Sequence, residues 1–255
     1  MDTKAKLPKF LQPYKNNNNL VRIGRDNDGG YLIDKRNIQS TNVLIGLGIS
    51  DDWSFEEDFY SVKKVQVFAV DGSIHEKIFF NNFIRSLLHL HPVIALQWYK
   101  KHIQYKRFFQ DGRYHIKKLV GMDLGSDFVS LSTLIEDLKL SEKSRIFIKI
   151  DIEGWEYRIL DDLIGYSDLI EGMVIEFHDV DLHLERIQKF IEKFSLNLCH
   201  IHCNNFTPID KNNIPLTIEC SFTRQSVEDL YENDFPNKLD MSNDKNSADY
   251  VLMFE

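Results

Sequence analysis

Phe147-Ile-Lys-Ile-Asp-Ile-Glu-Gly-Trp-Glu-Tyr-Arg-Ile-Leu160 is the stretch on which the fold turns. Its first half is apolar and β-branched, the signature of a buried strand. The run ends in Asp151, Glu153 and Gly154, and helical spacing begins at Trp155, with Ile159, Leu160 and Leu163 on one face. Strand, turn and helix in succession make the unit of a parallel α/β sheet. Open sheets of this kind hold ligands at the carboxyl ends of their strands, so Asp151 and Glu153 are delivered to a place suited to chemistry. A plainer use also exists: Asp151 caps the next helix and Glu153 adds a favourable first-turn charge.

Working outward, Val43–Leu47, Val65–Val70, Tyr114–Val120, Ile146–Ile150 and Met173–Phe177 read as strands. Helical patterns occupy 54–62, 130–139, 155–164 and 182–194. The alternation predicts an α/β fold with a mostly parallel sheet covered on both faces. Leu196–His202, Leu216–Phe222 and Tyr250–Phe254 are also strand-like and predict an antiparallel edge or extension. Residues 75–114 are too long for a plain connection and read as a helical insert. The polar run Asn16–Asn19 reads as a loop, and the whole chain, 1–255, as one domain with a lead segment over 1–40.

With 255 residues and 43% hydrophobic content the chain can bury a real core. No stretch approaches a membrane span, and the opening MDTKAKLPKF lacks the apolar centre of a signal peptide. Cys199, Cys203 and Cys220 fit core positions rather than a metal knuckle or disulfide scaffold. A reduced, cytoplasmic protein is expected. The net charge of −8 argues against binding a nucleic-acid polymer. Between His75 and Tyr114, however, seven basic residues face two acidic ones, so this segment carries +5 against −13 elsewhere. Such asymmetry suggests a local anionic partner. Lys100, Lys101, Lys106 and Arg107 fall within two helical turns, so several can share a face and hold a pyrophosphate, with a neighbouring aromatic stacked on a base. The alternative is that the insert's aromatics form its own core or an interface between copies of the chain, with the basic residues solvated.

The other strand ends add to the picture. Gly46-Leu-Gly48 precedes a helix opening at Ser54. Glycines let backbone approach a ligand, but Asp51 stands where a dinucleotide fingerprint has its third glycine. A tight turn capped by Ser54 would look the same. Asp71, ending the second strand about 20 residues on, suits a ribose; an Asx turn over Asp71-Gly72-Ser73 is the competing reading. Alternation puts Glu176 and His178 on one side of the fifth strand, beside Asp179. With Asp151 and Glu153 they can hold a divalent cation or supply a general base.

These residues resemble the FkbM-like family of S-adenosylmethionine-dependent O-methyltransferases. Ile148-Lys-Ile-Asp-Ile-Glu-Gly154 with Glu156 carries the resemblance, supported by Gly46-Leu-Gly48 with Ser54-Phe-Glu56, Asp71-Gly72-Ser73 and Ile175-Glu-Phe-His178. Val21-Arg-Ile-Gly24 with Asp28-Gly-Gly-Tyr31, and His200-Ile-His-Cys-Asn-Asn205 with Glu219, look like the branch acting on bacterial surface sugars. The resemblance spans about Val21 to Phe254 and omits the basic insert. It implies a Rossmann-like class I methyltransferase fold. It also implies S-adenosylmethionine contacts from Gly46, Gly48, Ser54, Gly30 and Tyr31, ribose contacts from Asp71 with Gly72 and Ser73, and adenine near Met122-Asp123. His178, Asp151 and Glu153 become the catalytic candidates, with Asp151, Glu176 and His178 as cation ligands. His200, His202, Asn204 and Asn205 would line the acceptor side, although an ordinary edge strand and Asn-rich turn fit them equally. Lys100, Lys101 and Arg107 would meet a nucleotide-linked sugar destined for capsule or another surface polysaccharide. The competing functions are a nicotinamide-dependent nucleotide-sugar oxidoreductase, disfavoured by the missing glycine and the lack of a Tyr-x-x-x-Lys pair, and a non-catalytic nucleotide-binding domain.

Overall fold

The computed structural model describes residues 4–141 and 143–255. Met1–Thr3, part of the amino-terminal stretch read above, lie outside them. The strands are β1 (Lys4–Leu7), β2 (Leu20–Gly24), β3 (Gly30–Asp34), β4 (Val43–Leu47), β5 (Gln66–Val70), β6 (Arg113–Ile116), β7 (Leu119–Val120), β8 (Phe128–Val129), β9 (Ile146–Ile150), β10 (Ile170–Phe177), β11 (Asn197–Cys203), β12 (Ile218–Thr223) and β13 (Val251–Phe254). The helices are α1 (Lys35–Ser40), α2 (Ser54–Val62), α3 (Glu76–Leu88), α4 (Pro92–Phe108), α5 (Leu131–Asp137), α6 (Leu160–Gly165) and α7 (Val180–Lys193).

Seven strands form the central sheet in the order β11-β12-β10-β9-β4-β5-β6. From β10 to β6 all neighbours are parallel, and β12 runs antiparallel between β10 and β11. This is a doubly wound α/β arrangement, as the alternating pattern predicts, and Rossmann-like, as the resemblance implies. Successive residues of each strand enter opposite layers: Ile45 and Ile148 pack with α5, α6 and α7, whereas Leu44 and Phe147 pack with Phe55 and Phe59 of α2. Strands buried on both faces must be apolar throughout, which is why the β4 and β9 runs are legible.

Strand order reverses between β4 and β9, the switch point at which such sheets bind ligands. Register makes the place definite. Leu47 pairs with both Val70 and Ile150, and Ile150 with Ile175. The next residues, Gly48, Asp71 and Asp151, therefore leave the sheet side by side, next to Glu176, which is still paired within β10.

Four expectations need correcting. The helix after β9 does not begin at Trp155. A 3-10 turn spans Glu156–Arg158 and α6 starts at Leu160, because Glu156 folds back on its own turn, as described below. The third strand stops at Ile116, and Leu119–Val120 pairs separately with β8. β13 does not extend the sheet but pairs in parallel with β1. Finally, the Asn16–Asn19 run is not a plain loop, since Asn17–Asn19 form a 3-10 turn; it leads into an antiparallel hairpin of β2 and β3 that packs Ile23, Tyr31 and Ile33 onto the α2 side of the sheet. Ser221 Oγ bonds the Leu32 carbonyl and Thr223 Oγ1 bonds Asp34 across that junction. The insert is an α3–α4 helical pair, as predicted, anchored through Phe79, Tyr105 and Phe108. The three cysteines are free and buried, and no helix among the described residues is long and apolar enough to cross a membrane.

Candidate active site

A pocket of about 320 Å³ opens at the switch point. Gly48, Ser50, Asp71 and Ser73 form one wall, and Asp151, Ile152 and Glu153 another. Leu119, Val120, Phe128 and Trp155 supply an apolar slot, Phe128 stacking on Trp155 with ring centroids 5.5 Å apart. Gly48 has φ +74°, and a β-carbon there would run into the Asp151 carbonyl, so the close approach of β4 and β9 requires glycine. Three carboxylates and one lysine, Lys118, line this pocket. Its field favours a cationic ligand.

Asp71 accepts from Ser50 N at 2.7 Å through one oxygen and from Ser73 N and Oγ, both at 2.6 Å, through the other. The Asx turn is thus present, and it aims the carboxylate into the pocket. The oxygen that accepts from Ser50 N keeps a further lone pair for a ligand hydroxyl, whereas Ser73 occupies both sites of the other.

Behind the pocket lies a buried cationic strut. Lys149, on β9, donates to the Gly48 carbonyl at 2.6 Å and lies 3.4 Å from Asp151 Oδ2. Burial would lower its pKa, but Asp151, Glu56 and Glu176 outweigh burial and raise it. Glu56 comes from α2 and fills the space over Gly46, where a β-carbon would meet its carboxylate. Burial pushes Glu56 up to about 7 despite Lys149. Gly46 therefore makes room for a side chain rather than facing the pocket. Tyr31 OH donates to Glu176 Oε2 at 3.2 Å and lies 3.4 Å from Asp151 Oδ2. Burial, then Asp151 and Glu176, raise its pKa well above normal, so it remains a neutral donor.

His178 stands at the pocket's edge. Its Nδ1 is 3.0 Å from Glu156 Oε1, and its Nε2 is 3.5 Å from Glu153 and 3.8 Å from Glu176. Burial opposes its charge, but the Glu156 hydrogen bond and the surrounding carboxylates prevail, lifting its pKa to about 9. The imidazole is protonated at neutral pH, with Nδ1 committed to Glu156. Glu156 is fully buried and also accepts from Ile152 N and Gly154 N. One side chain thereby fixes both the Asp151–Gly154 turn and the histidine.

The other named residues are placed as follows. Glu176 turns to Tyr31 and to Asn204 Nδ2 at 2.8 Å; burial, then Asp151 and Glu219, raise its pKa well above normal. The groups that bring ligand atoms within 4.8 Å of one another are Asp151, Glu153 and His178, so Glu153 takes the place expected of Glu176. A cation there would have to displace the His178 proton. Met122 and Asp123 do not line the pocket. Asp123 accepts from Ser130 and Thr133 at the start of α5, and the apolar slot belongs to Leu119, Phe128 and Trp155. Ser54 Oγ accepts from Arg25 N instead of capping α2. Gly30 packs against the Arg25 carbonyl in the hairpin turn, and Gly72 against Leu119. His202 is held between Glu219 at 3.1 Å and Asp249 at 2.9 Å, and His200 bonds Asp240 at 2.9 Å. Asn205 bonds backbone of the 244–248 loop. Lys101 pairs with Asp51 at 2.6 Å, next to pocket residue Ser50, and Lys106 with Glu76 at 3.5 Å. Lys100 and Arg107 are exposed and do not line the pocket.

Sequence reasoning gave no role to Lys149, Glu56, Glu156, Trp155 or Phe128. Lys149 had a usable signal, being the one charge inside an apolar five-residue strand.

No known family profile matches the chain, and no curated protein matches it. Among solved structures it is similar to precorrin-6y C5,15-methyltransferase from Geobacter metallireducens GS-15, at 12% identity and TM-score 0.37, over 75% of this chain and 86% of that one. It is also similar to the 16S rRNA (adenine(1408)-N(1))-methyltransferase from Catenulisporales acidiphilia, at 7% identity and TM-score 0.29, over 76% and 91% of the two chains. A third similarity is to the aminoglycoside resistance methyltransferase NpmB1, at 11% identity and TM-score 0.31, over 80% and 99%. Likenesses this distant say nothing of substrate or chemistry.

Proposed function

We propose that this chain transfers a methyl group from S-adenosylmethionine to a hydroxyl of a sugar, carried on a nucleoside diphosphate. The observation that carries the reading is the pocket's composition: an aromatic slot, a ribose-suited acid and two further carboxylates meet at the switch point. Asp71 suits the ribose, Phe128 and Trp155 the adenine, and Asp151 with Glu153 the cationic methionine end. Bound there, the cofactor supplies an electrophilic methyl group. A nicotinamide cofactor fits less well. Asp51 stands where the phosphate loop of a dinucleotide fold has its third glycine, and the antiparallel β12 departs from the six-strand order typical of dinucleotide folds.

The chain's own part is to orient and deprotonate the acceptor. With Nδ1 donating to Glu156, the nitrogen left to take a proton is Nε2 of His178. It becomes a base only as the imidazolium titrates, so the rate constant should rise with pH toward about 9. Lys118 on the wall and Lys101 beside the Ser50 loop are the cations suited to a diphosphate.

Calorimetry with S-adenosylhomocysteine and NADP separates the readings. Binding of the former alone is expected; binding of NADP alone would favour the oxidoreductase, and neither a non-catalytic module. Equal kcat/KM for free and nucleotide-linked sugar would remove the diphosphate part. A rate that does not change between pH 7 and 9 would remove His178 as base.

A further inference from the structure

The α3–α4 pair is disproportionately apolar on its outside. Nearly half of the large hydrophobic side chains left exposed by the described residues lie between Phe80 and Ile103. They are arranged, not scattered. Phe80, Ile84, Leu87 and Leu88 recur at helical spacing on α3, and Leu96, Tyr99 and Ile103 do so on α4. Phe83 packs on Tyr99 at 5.3 Å and Phe80 on His102 at 5.6 Å, joining the two stripes into one face. Exposure is greatest at the tip, where Leu88 is 78%, Leu90 86% and Val93 70% exposed.

Leu90 also breaks a local rule. The bonds Leu90 N to Leu87 O and His91 N to Ser86 O close α3 in a Schellman motif. Leu90 occupies its left-handed position at φ +58°, where glycine is the usual residue. A large apolar residue kept there, in full contact with water, has no use in the fold.

Charge identifies what covers this face. The two helices carry six basic residues and one acid, Glu76, which is engaged with Lys106. Pairing two such faces across a dimer axis would set like charges together, a cost that disfavours a second copy. Between the helices near the tip lies a second pocket, of about 410 Å³, lined by Asn82, Arg85, Ser86, His89, His91 and Trp98. Its donors suit a phosphate group. A phosphate pocket bordered by exposed leucines and a valine, on a basic amphipathic surface, matches the headgroup and acyl boundary of an anionic bilayer. A nucleic acid would need exposed stacking aromatics, and the side chains most exposed at the tip, Leu88, Leu90 and Val93, are aliphatic.

We infer that the tip of the α3–α4 pair docks onto anionic lipid, with Leu88, Leu90 and Val93 entering the acyl boundary and Arg85 meeting a lipid phosphate. Outside this pair the chain carries a net −13, so its charge favours approach by this face and sets an orientation on the membrane. The assignment stands apart from the methyltransferase reading.

The test is vesicle co-sedimentation of the full chain, using phosphatidylcholine with and without phosphatidylglycerol, at low and high salt. Binding to the anionic vesicles alone, weakened by salt, is expected. Leu90→Gly relieves the left-handed strain, so it retains the fold, and should weaken binding about tenfold. Arg85→Ala should weaken it about fivefold. The proposal fails if anionic vesicles are not bound at low salt, or if neither substitution changes binding. It also fails if soluble glycerol phosphate competes fully with the vesicles, marking a free-phosphate site. Sedimentation showing a dimer that Leu90→Gly dissociates would assign the face to a second copy, and retention of an RNA oligonucleotide without vesicle binding would assign it to nucleic acid.

Discussion

Two clusters of acids share one face of the sheet and differ in a single respect. In the first, Asp71, Asp151 and Glu153 border open space. In the second, under the β2–β3 hairpin, every carboxylate has a side-chain donor: Glu176 accepts from Tyr31 and Asn204, Glu219 from His202 and Asn243, Asp249 from His202, and Asp240 from His200. His202 shows how complete the closure is. Burial opposes its charge, yet Asp249 and Glu219 raise its pKa well above normal. A closed network gives the hairpin a defined seat, and an open one keeps acceptors for a ligand. Residue type does not separate the two, nor does the mere presence of a donor, since Asp71 has Ser73 and Asp151 has Lys149 and Tyr31; access to the pocket does.

Lys149 joins the clusters, so its loss should have the largest effect. Lys149→Met leaves Glu56 and Glu176 buried, and Asp151 at the pocket wall, without their cation and should cost about 3–5 kcal/mol in stability by chemical denaturation. A loss under ~1 kcal/mol would show that the clusters are independent. Asp71→Ala probes the open side. Removing the ribose acceptor should weaken S-adenosylhomocysteine binding by roughly 1.5–3 kcal/mol per lost hydrogen bond. His202→Gln, on the closed side, should reduce stability and leave that affinity unchanged; the opposite pattern would invert the assignment of the two clusters.

The smallest effect should come from Glu156→Gln. Folded His178 titrates near 9 against about 6.5 when free. The stability its proton contributes is whole below about 6.5 and lost as pH rises through 9. Removing the Glu156 charge should move the titration toward 6.5 and flatten that loss, read by NMR of the imidazole and by denaturation at several pH values. An unmoved titration would assign the shift to Glu176 and Asp151 instead.

The sequence made the open side more legible than the closed one. Alternating strands and helices fix β4, β5, β9 and β10, and strand ends are then known places, so Gly48, Asp71, Asp151 and Glu153 could be located by counting. Glu176 and His178 were equally visible as polar residues at a strand end. Their partners were not, because Tyr31 and Asn204 come from a hairpin and a loop far away in the chain, and no periodicity reports such packing. Gly46 was misread for a related reason: a glycine beside a ligand and a glycine beneath another side chain look alike until Glu56 is seen above it. Met122-Asp123 failed because the short β7–β8 pair displaces that loop from the pocket, and two-residue strands leave no pattern.

The wedged position of β12 has a bearing on synthesis. β10 is eight buried residues long, and its outer edge stays unpaired until Ile218–Thr223 has been made. β11 is made earlier but reaches the sheet only through β12, so the nascent chain carries two unpaired strands with bare hydrogen-bonding edges. Such edges recruit other chains. Ribosome-bound chains halted before Ile218 should therefore leave β11 open to protease, and protection there should appear only once Thr223 has emerged. Early protection of β11 would mean that it first pairs elsewhere and must be exchanged out. The interval between these two strands is when the bare edge of β10 is most open to pairing with another chain.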